Sequence, residues 1–255
     1  MFDELFDLSA RVALVTGASR GLGRTFAETL ARAGAHVAVC SRSSDHAAAV
    51  AREIADFSGT RTFGAGADVT KKADIQGLLS SVEEELGPVD ILVTCAGINI
   101  RKDTQELTEQ DWDTLVDSNL KGSFLVAQAI LPGMRQRKQG RIVFLGSALS
   151  FISIAGRAAY ASSKTAILGL ARTLALEAAR DNVCVNALCP GPFTTPMNAP
   201  LLEDERNSRA FVSAVPMARW GNPDELRGML LYLCSPACSY QTGSAVLVDG
   251  GWTVV

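Results

Sequence analysis

Tyr160 and Lys164 stand four residues apart in the run Tyr160-Ala161-Ser162-Ser163-Lys164. On a helix that spacing puts both side chains on one face. A free phenol has a pKa of about 10, too high for an efficient base near neutrality. A cation held beside it favours the phenolate, so the pair could work as a general acid/base. The same spacing also occurs on exposed helix faces, so its meaning rests on its surroundings. A second cluster, Thr16-Gly17-Ala18-Ser19-Arg20-Gly21-Leu22-Gly23, follows the apolar run 12–16. Glycines there let the backbone approach a ligand closely. A helix starting after them offers free N–H groups and the positive end of its dipole to a phosphate.

These residues need a scaffold, and the chain alternates short β-rich runs with longer helical stretches. Strands are expected over 12–16, 37–40, 62–67, 89–95, 141–145, 183–188 and 245–248. Helices are expected over 24–33, 47–57, 73–86, 112–137, 158–180 and 223–233. The alternation predicts right-handed βαβ crossovers. The expected fold is therefore α/β, a single Rossmann-like, doubly wound domain over residues 1–255. Its seven-stranded parallel sheet carries helices on both faces, and its strands should be nearly all apolar. The stretch 191–216, with prolines at 192, 196, 200 and 216, reads as an irregular loop. It begins at the carboxyl edge of a strand, where such sheets bind ligands, so it is expected to be a substrate lid.

Composition narrows the classes. The chain has 255 residues, a formal net charge of −3 and no long basic run, which argues against a nucleic-acid surface. Six cysteines and two histidines include no C-x-x-C, so no metal site is expected. No apolar stretch reaches the length of a membrane span, and the N-terminus lacks a signal-peptide pattern. The expectation is a cytoplasmic protein with reduced thiols, acting on a small molecule.

The turn TGASRGLG resembles the cofactor turn of the short-chain dehydrogenase/reductase family, whose glycine spacing is G-x-x-x-G-x-G. That resemblance implies nucleotide binding by Gly17, Ser19, Arg20, Leu22 and Gly23. Asp68-Val69 is similar to the family's adenine-contact motif. Ala96-Gly97 matches the end of its Asn-Asn-Ala-Gly motif, although Thr94 and Cys95 replace the two asparagines. Pro190, Gly191 and Thr195 match its nicotinamide-side segment. Asn119, Ser147, Tyr160 and Lys164 fall in the family's catalytic order. The resemblance implies that Ser147 and Tyr160 polarise a carbonyl and Tyr160 supplies the proton. Lys164 would hold the cofactor ribose and lower the phenol pKa, and Asn119 would support proton resupply. The C-terminal Val248-Asp249-Gly250-Gly251-Trp252 also matches, and implies a homotetramer or homodimer.

The end of the second strand bears on the cofactor. NAD-preferring enzymes usually place a carboxylate there. This chain has Ser41 and Arg42, and Arg20 of the glycine turn is expected near the same place. Arginine suits a 2′-phosphate because its planar fork bonds two oxygens. NADP is therefore expected, with NAD as the other possibility. Stretches such as Ser150-Phe151 and Ala218-Arg219-Trp220-Gly221-Asn222-Pro223 resemble the gluconate 5-dehydrogenase and 2-dehydro-3-deoxygluconate 5-dehydrogenase branch. A sugar acid in carbohydrate metabolism is the substrate this implies, with Arg101 and Arg157 as candidate carboxylate ligands. The alternatives are a 3-oxoacyl-carrier-protein reductase or other ketoreductase and, in a different class, a non-catalytic NADP-binding regulator.

Overall fold

A computed structural model of the protein describes residues 2–254. Seven parallel strands form one sheet in the order β3-β2-β1-β4-β5-β6-β7. A short helix α1 (Phe2–Phe6) precedes β1 (Val12–Thr16), and α2 (Gly21–Arg32), β2 (His36–Ser41), α3 (Ser44–Ser58) and β3 (Thr62–Gly66) follow. After α4 (Lys72–Glu85) and β4 (Ile91–Thr94) come α5 (Glu109–Val116), α6 (Gly122–Arg137) and β5 (Gly140–Leu145). The chain then runs through α7 (Ala158–Ala178), β6 (Val183–Pro190), α8 (Ala199–Leu202), α9 (Glu205–Val212), α10 (Arg227–Cys234) and β7 (Ala245–Val248). Among the described residues, no helix is long and apolar enough to cross a membrane.

Alternation along the strands divides the core into two. Leu14, Ala38, Leu92, Ile142 and Phe144 face one side, where α4, α6 and α7 bury Ile75, Val126 and Ile167. Their neighbours Val15, Val37, Val39, Val93 and Val143 face the other, against Phe26 and Leu30 of α2, Ile54 of α3 and Leu230 of α10. Period-two exposure of both faces to helices requires apolar residues at every position. All five residues of β1 are buried, whereas the edge strands β3 and β7 are mostly half-buried. Leu14 is wholly enclosed, so Leu14→Ala would cost about 2–5 kcal/mol.

Two expected elements need correction. The stretch 112–137 is not one regular helix: a π turn, Asp117–Lys121, lies between α5 and α6, and the Gly122 N–H donates to the Asp117 carbonyl. Such a bulge widens one turn without ending the helix, which is why the helical spacing looked continuous. The stretch 191–216 is not irregular throughout. Asp204 accepts from the Arg206 and Asn207 N–H groups and starts α9, while α8 sits just before it. The dense prolines lie mostly N-terminal to α9 and masked it.

Candidate active site

The strand order reverses between β1 and β4, opening a crevice at the carboxyl edge of the sheet. The chain enters it through Gly17, whose φ of +67° suits glycine. A Cβ on Gly17 would lie 2.6 Å from the Ala96 nitrogen, and one on Gly23 would lie 2.4 Å from the Gly17 carbonyl oxygen. The glycines thus let the turn, α2 and the 95–97 segment close on one another. Arg20 caps α2 with extended backbone and no side-chain hydrogen bond. The first N–H groups of the helix are left for another acceptor, the arrangement that takes a phosphate.

Two adjoining cavities share Gly17, Arg20, Cys95, Gly97 and Ile98. The larger, about 890 Å³, is lined by Ser19, Ser41, Arg42, Asp68, Val69 and Ala96 among others. Ser41 is buried and donates to the Ser43 carbonyl at 2.7 Å, while Arg42 is exposed at the rim. Asp68 accepts from the backbone and hydroxyl of Thr70, and these bonds hold its carboxyl below the ordinary range. The smaller cavity, about 370 Å³, contains Leu22, Gly23, Ser147, Tyr160, Lys164, Pro190, Gly191 and Thr195. All the residues expected to bind cofactor therefore line one or other of these two adjoining cavities.

The π turn aims Asn119 inward, where it is 1% exposed. Its Oδ1 accepts from the Ile98 N–H at 2.8 Å, and its Nδ2 donates to the Ile98 carbonyl at 3.0 Å and to Ser163 Oγ at 3.2 Å. Ser163 in turn donates to the Tyr160 carbonyl at 2.8 Å. Asn119 thus ties the β4 loop to the first turn of α7. Ser147 follows β5, and its hydroxyl accepts from the Leu149 N–H at 3.1 Å. Ser150 donates to the Lys164 carbonyl at 2.7 Å, locking the Ser147 turn to α7. Ser150 and Ser163 went unrecognised as supports in the sequence; their only signal is position, Ser163 lying directly before Lys164.

Tyr160 is set among groups with opposing effects on its phenol. Burial pushes its phenol up from the ordinary value; a hydrogen bond with Ser147 and the charges of Arg157 and Arg101 act in the opposite direction. The Lys164 ammonium donates to the Leu145 carbonyl at 2.7 Å and lies 5.8 Å from the Tyr160 ring centroid. Burial brings Lys164 itself down to about 8.

The charges of Arg101 and Arg157 act on Tyr160, although neither side chain lines the cavity of Ser147, Tyr160 and Lys164. Arg157 is 9% exposed and, among the described residues, its side chain donates only to its neighbour's carbonyl, that of Gly156. Arg101 donates to the Met197 carbonyl at 3.2 Å and to Asn198 Oδ1 at 2.9 Å, reaching the segment before α8. Neither forms an ion pair with a carboxylate among the described residues. Burial lowers the pKa of both guanidinium groups, and Arg157 is lowered further by Arg101. Beyond them α9 is pinned by Phe211, stacked on Trp220 at 5.2 Å and tilted on Trp252 at 5.4 Å. Trp252 is thus packed within its own chain rather than presented to a neighbour.

A family model for short chain dehydrogenases matches residues 11–206. The chain is 36% identical over 249 residues to the 3-oxoacyl-[acyl-carrier-protein] reductase of Vibrio cholerae, covering 98% of this chain and 100% of that one. It is 37% identical over 251 residues to gluconate 5-dehydrogenase of Gluconobacter oxydans, covering 98% of each. The crystal structure of a gluconate 5-dehydrogenase from Burkholderia cenocepacia, in complex with NADP and tartrate, superimposes with a TM-score of 0.96 at 35% identity and covers both chains fully. With the glycine turn, the Asn119 latch and the Ser147–Tyr160–Lys164 group assembled on a parallel seven-stranded sheet, the chain belongs to the short-chain dehydrogenase/reductase family of oxidoreductases.

Proposed function

We propose that this enzyme interconverts a ketone and a secondary alcohol on a sugar acid of the gluconate/5-ketogluconate type, using NADP(H). The observation that carries the substrate class is the pair Arg101 and Arg157. The charges of both act on Tyr160, both are partly or wholly withdrawn from water, and neither has a carboxylate partner among the described residues. Unpaired cations in such a place are costly unless a ligand supplies the countercharge. A substrate carboxylate supplies it and leaves the far end of the molecule at Ser147 and Tyr160. The gluconate 5-dehydrogenase relatives agree with this reading.

When bound, the nicotinamide supplies the hydride that reaches the carbonyl carbon. The residues do the rest. Ser147 and Tyr160 hold the carbonyl oxygen, and Tyr160 transfers its proton as negative charge develops there. Lys164 secures the ribose side and Asn119 supports return of the proton. The α2 N-terminus would hold the pyrophosphate, and Ser41, Arg42 and Arg20 would favour a 2′-phosphate, since β2 ends on Ser41 and Arg42 rather than on a carboxylate. The segment 191–216 covers substrate as a lid. A cytoplasmic homotetramer or homodimer, with 1–255 as one domain, completes the reading.

A second reading, reduction of a 3-oxoacyl thioester on carrier protein, is favoured by the 36% identity to the Vibrio cholerae reductase. Oxidation of NADPH and NADH, followed by absorbance with 5-ketogluconate and with a short 3-oxoacyl thioester, separates the two. The sugar-acid reading requires NADPH turnover on 5-ketogluconate that drops in Arg101→Ala and Arg157→Ala. Turnover on the thioester alone overturns it.

A further inference from the structure

Two buried side-chain oxygens among the described residues have no hydrogen-bond partner, Thr94 Oγ1 and Asn99 Oδ1. They differ in what lies beside them. Thr94 ends β4, is 3% exposed, and lines neither of the two cavities of the cleft. Asn99 lines the cavity that contains Ser147, Tyr160 and Lys164. Its carboxamide makes no hydrogen bond to the protein at either end, although one amide can take part in about four. Leaving a buried acceptor unsatisfied costs about 1–3 kcal/mol, so an amide there needs a reason.

The backbone at this position is held firmly. Asn119 grips both the N–H and the carbonyl of Ile98, the residue just before Asn99. Arg101, two residues on, is fastened to Met197 and Asn198. Asn99 therefore sits on a segment anchored on both sides, between the support of the proton-transfer centre and an unpaired cation. The terminal amide torsion is broad and roughly twofold, so a flip about it can offer either the oxygen or the NH₂ to the cavity.

We infer that Asn99 is a specificity-determining residue that hydrogen-bonds a hydroxyl group of the substrate lying between its carboxylate and its ketone. The inference rests on the sugar-acid reading above. A hydroxyl both donates and accepts, so it can satisfy either end of the amide. An aliphatic acyl chain carries no such group and would leave the amide unpaired. A site built to bond a substrate hydroxyl discriminates strongly against the analogue lacking it, because the protein group is then stranded.

The test pairs a change in the protein with the matching change in the substrate. Wild-type enzyme, Asn99→Leu and Asn99→Gln are assayed with NADPH on 5-ketogluconate and on its 2-deoxy, 3-deoxy and 4-deoxy analogues. In the wild type, removal of one of these hydroxyls is expected to lower kcat/KM by about 10-fold or more. In Asn99→Leu that penalty should collapse to less than about 3-fold, with Asn99→Gln between the two. The Kd for NADPH, read by nucleotide fluorescence, checks that the variants fold and that the amide does not serve the nicotinamide. An unchanged deoxy penalty in a folded Asn99→Leu overturns this inference while leaving the sugar-acid reading standing. A large loss of NADPH affinity assigns the amide to the cofactor and also overturns it. Failure of the wild type to reduce 5-ketogluconate removes the sugar-acid reading, and this inference falls with it.

Discussion

The ammonium of Lys164 donates to the carbonyl of Leu145 at 2.7 Å, joining α7 to the last residue of β5. The group is 5% exposed, and burial holds its pKa at about 8 against the ordinary 10.5. Between those two pH values the unfolded chain keeps a proton that the folded chain has released. Folding stability from this group therefore rises as pH increases through that window, and the full cost of the buried charge is present below about pH 8. The cost is at most about 3 kcal/mol. Urea midpoints of wild type and Lys164→Met across the alkaline range check this. The wild type should gain on the variant as pH rises; parallel profiles would show that Lys164 does not titrate in the window.

Tyr160→Phe should retain NADPH affinity and lose turnover by on the order of 10²–10⁴-fold, the usual worth of a general acid. The ring keeps its packing beside Ala148 and Leu149, so the fold should persist. Since burial raises the phenol pKa while Ser147, Arg157 and Arg101 oppose it, Arg157→Met should move the alkaline limb of the kcat/KM profile to higher pH. A profile unchanged in Arg157→Met would mean that this cation does not act on the phenol during reduction.

Cofactor preference should turn on Arg42. It is exposed at the rim of the larger cavity, where a hydrogen-bonded phosphate is worth about 1.5–3 kcal/mol. Arg42→Asp should therefore lower the NADPH/NADH ratio of kcat/KM by about 10-fold or more. The ratio is the informative quantity, because a general loss of binding would move both numbers together. A ratio that stays fixed would assign the 2′-phosphate to Arg20 or Ser41 alone.

Much of this architecture was legible in the sequence because its signals are local. The run Val12–Thr16 is apolar at every position, as a strand covered on both faces must be, and Gly17 follows at the positive φ the turn needs. The i,i+4 spacing of Tyr160 and Lys164 holds because α7 is regular throughout. What escaped depends on contacts across the chain. The π turn at Asn119 adds no distinctive residue to the helical pattern; it is evident only from the Ile98 and Ser163 bonds it permits. The direction of the Lys164 ammonium is set by the end of β5, nineteen residues away in the chain. Helix α9 was hidden by the prolines before it, although Asp204 followed by Glu205 is an ordinary helix start.

The aromatic contacts of Phe211 bear on how the site opens. Phe211 is the residue through which α9 meets both Trp220 and Trp252, and Trp220 Nε1 also donates to Ser208 Oγ within α9 at 2.7 Å. Trp252 packs with Ala148 and Leu149, the residues directly after Ser147. The position of α9 is therefore tied to the catalytic serine turn by packed rings rather than by its own short helix. Stacked and tilted aromatic pairs are worth about 0.5–1.5 kcal/mol each beyond burial. Phe211→Ala removes both pairs but touches none of Ser147, Tyr160 or Lys164. If α9 closes over substrate, the variant should raise KM for the ketone by about 10-fold, with little change in NADPH Kd. Hydrogen exchange should also quicken in 199–215 before anywhere in the sheet. A raised KM without faster exchange would place Phe211 against substrate directly, whereas faster exchange at constant KM would mean that α9 moves without governing access.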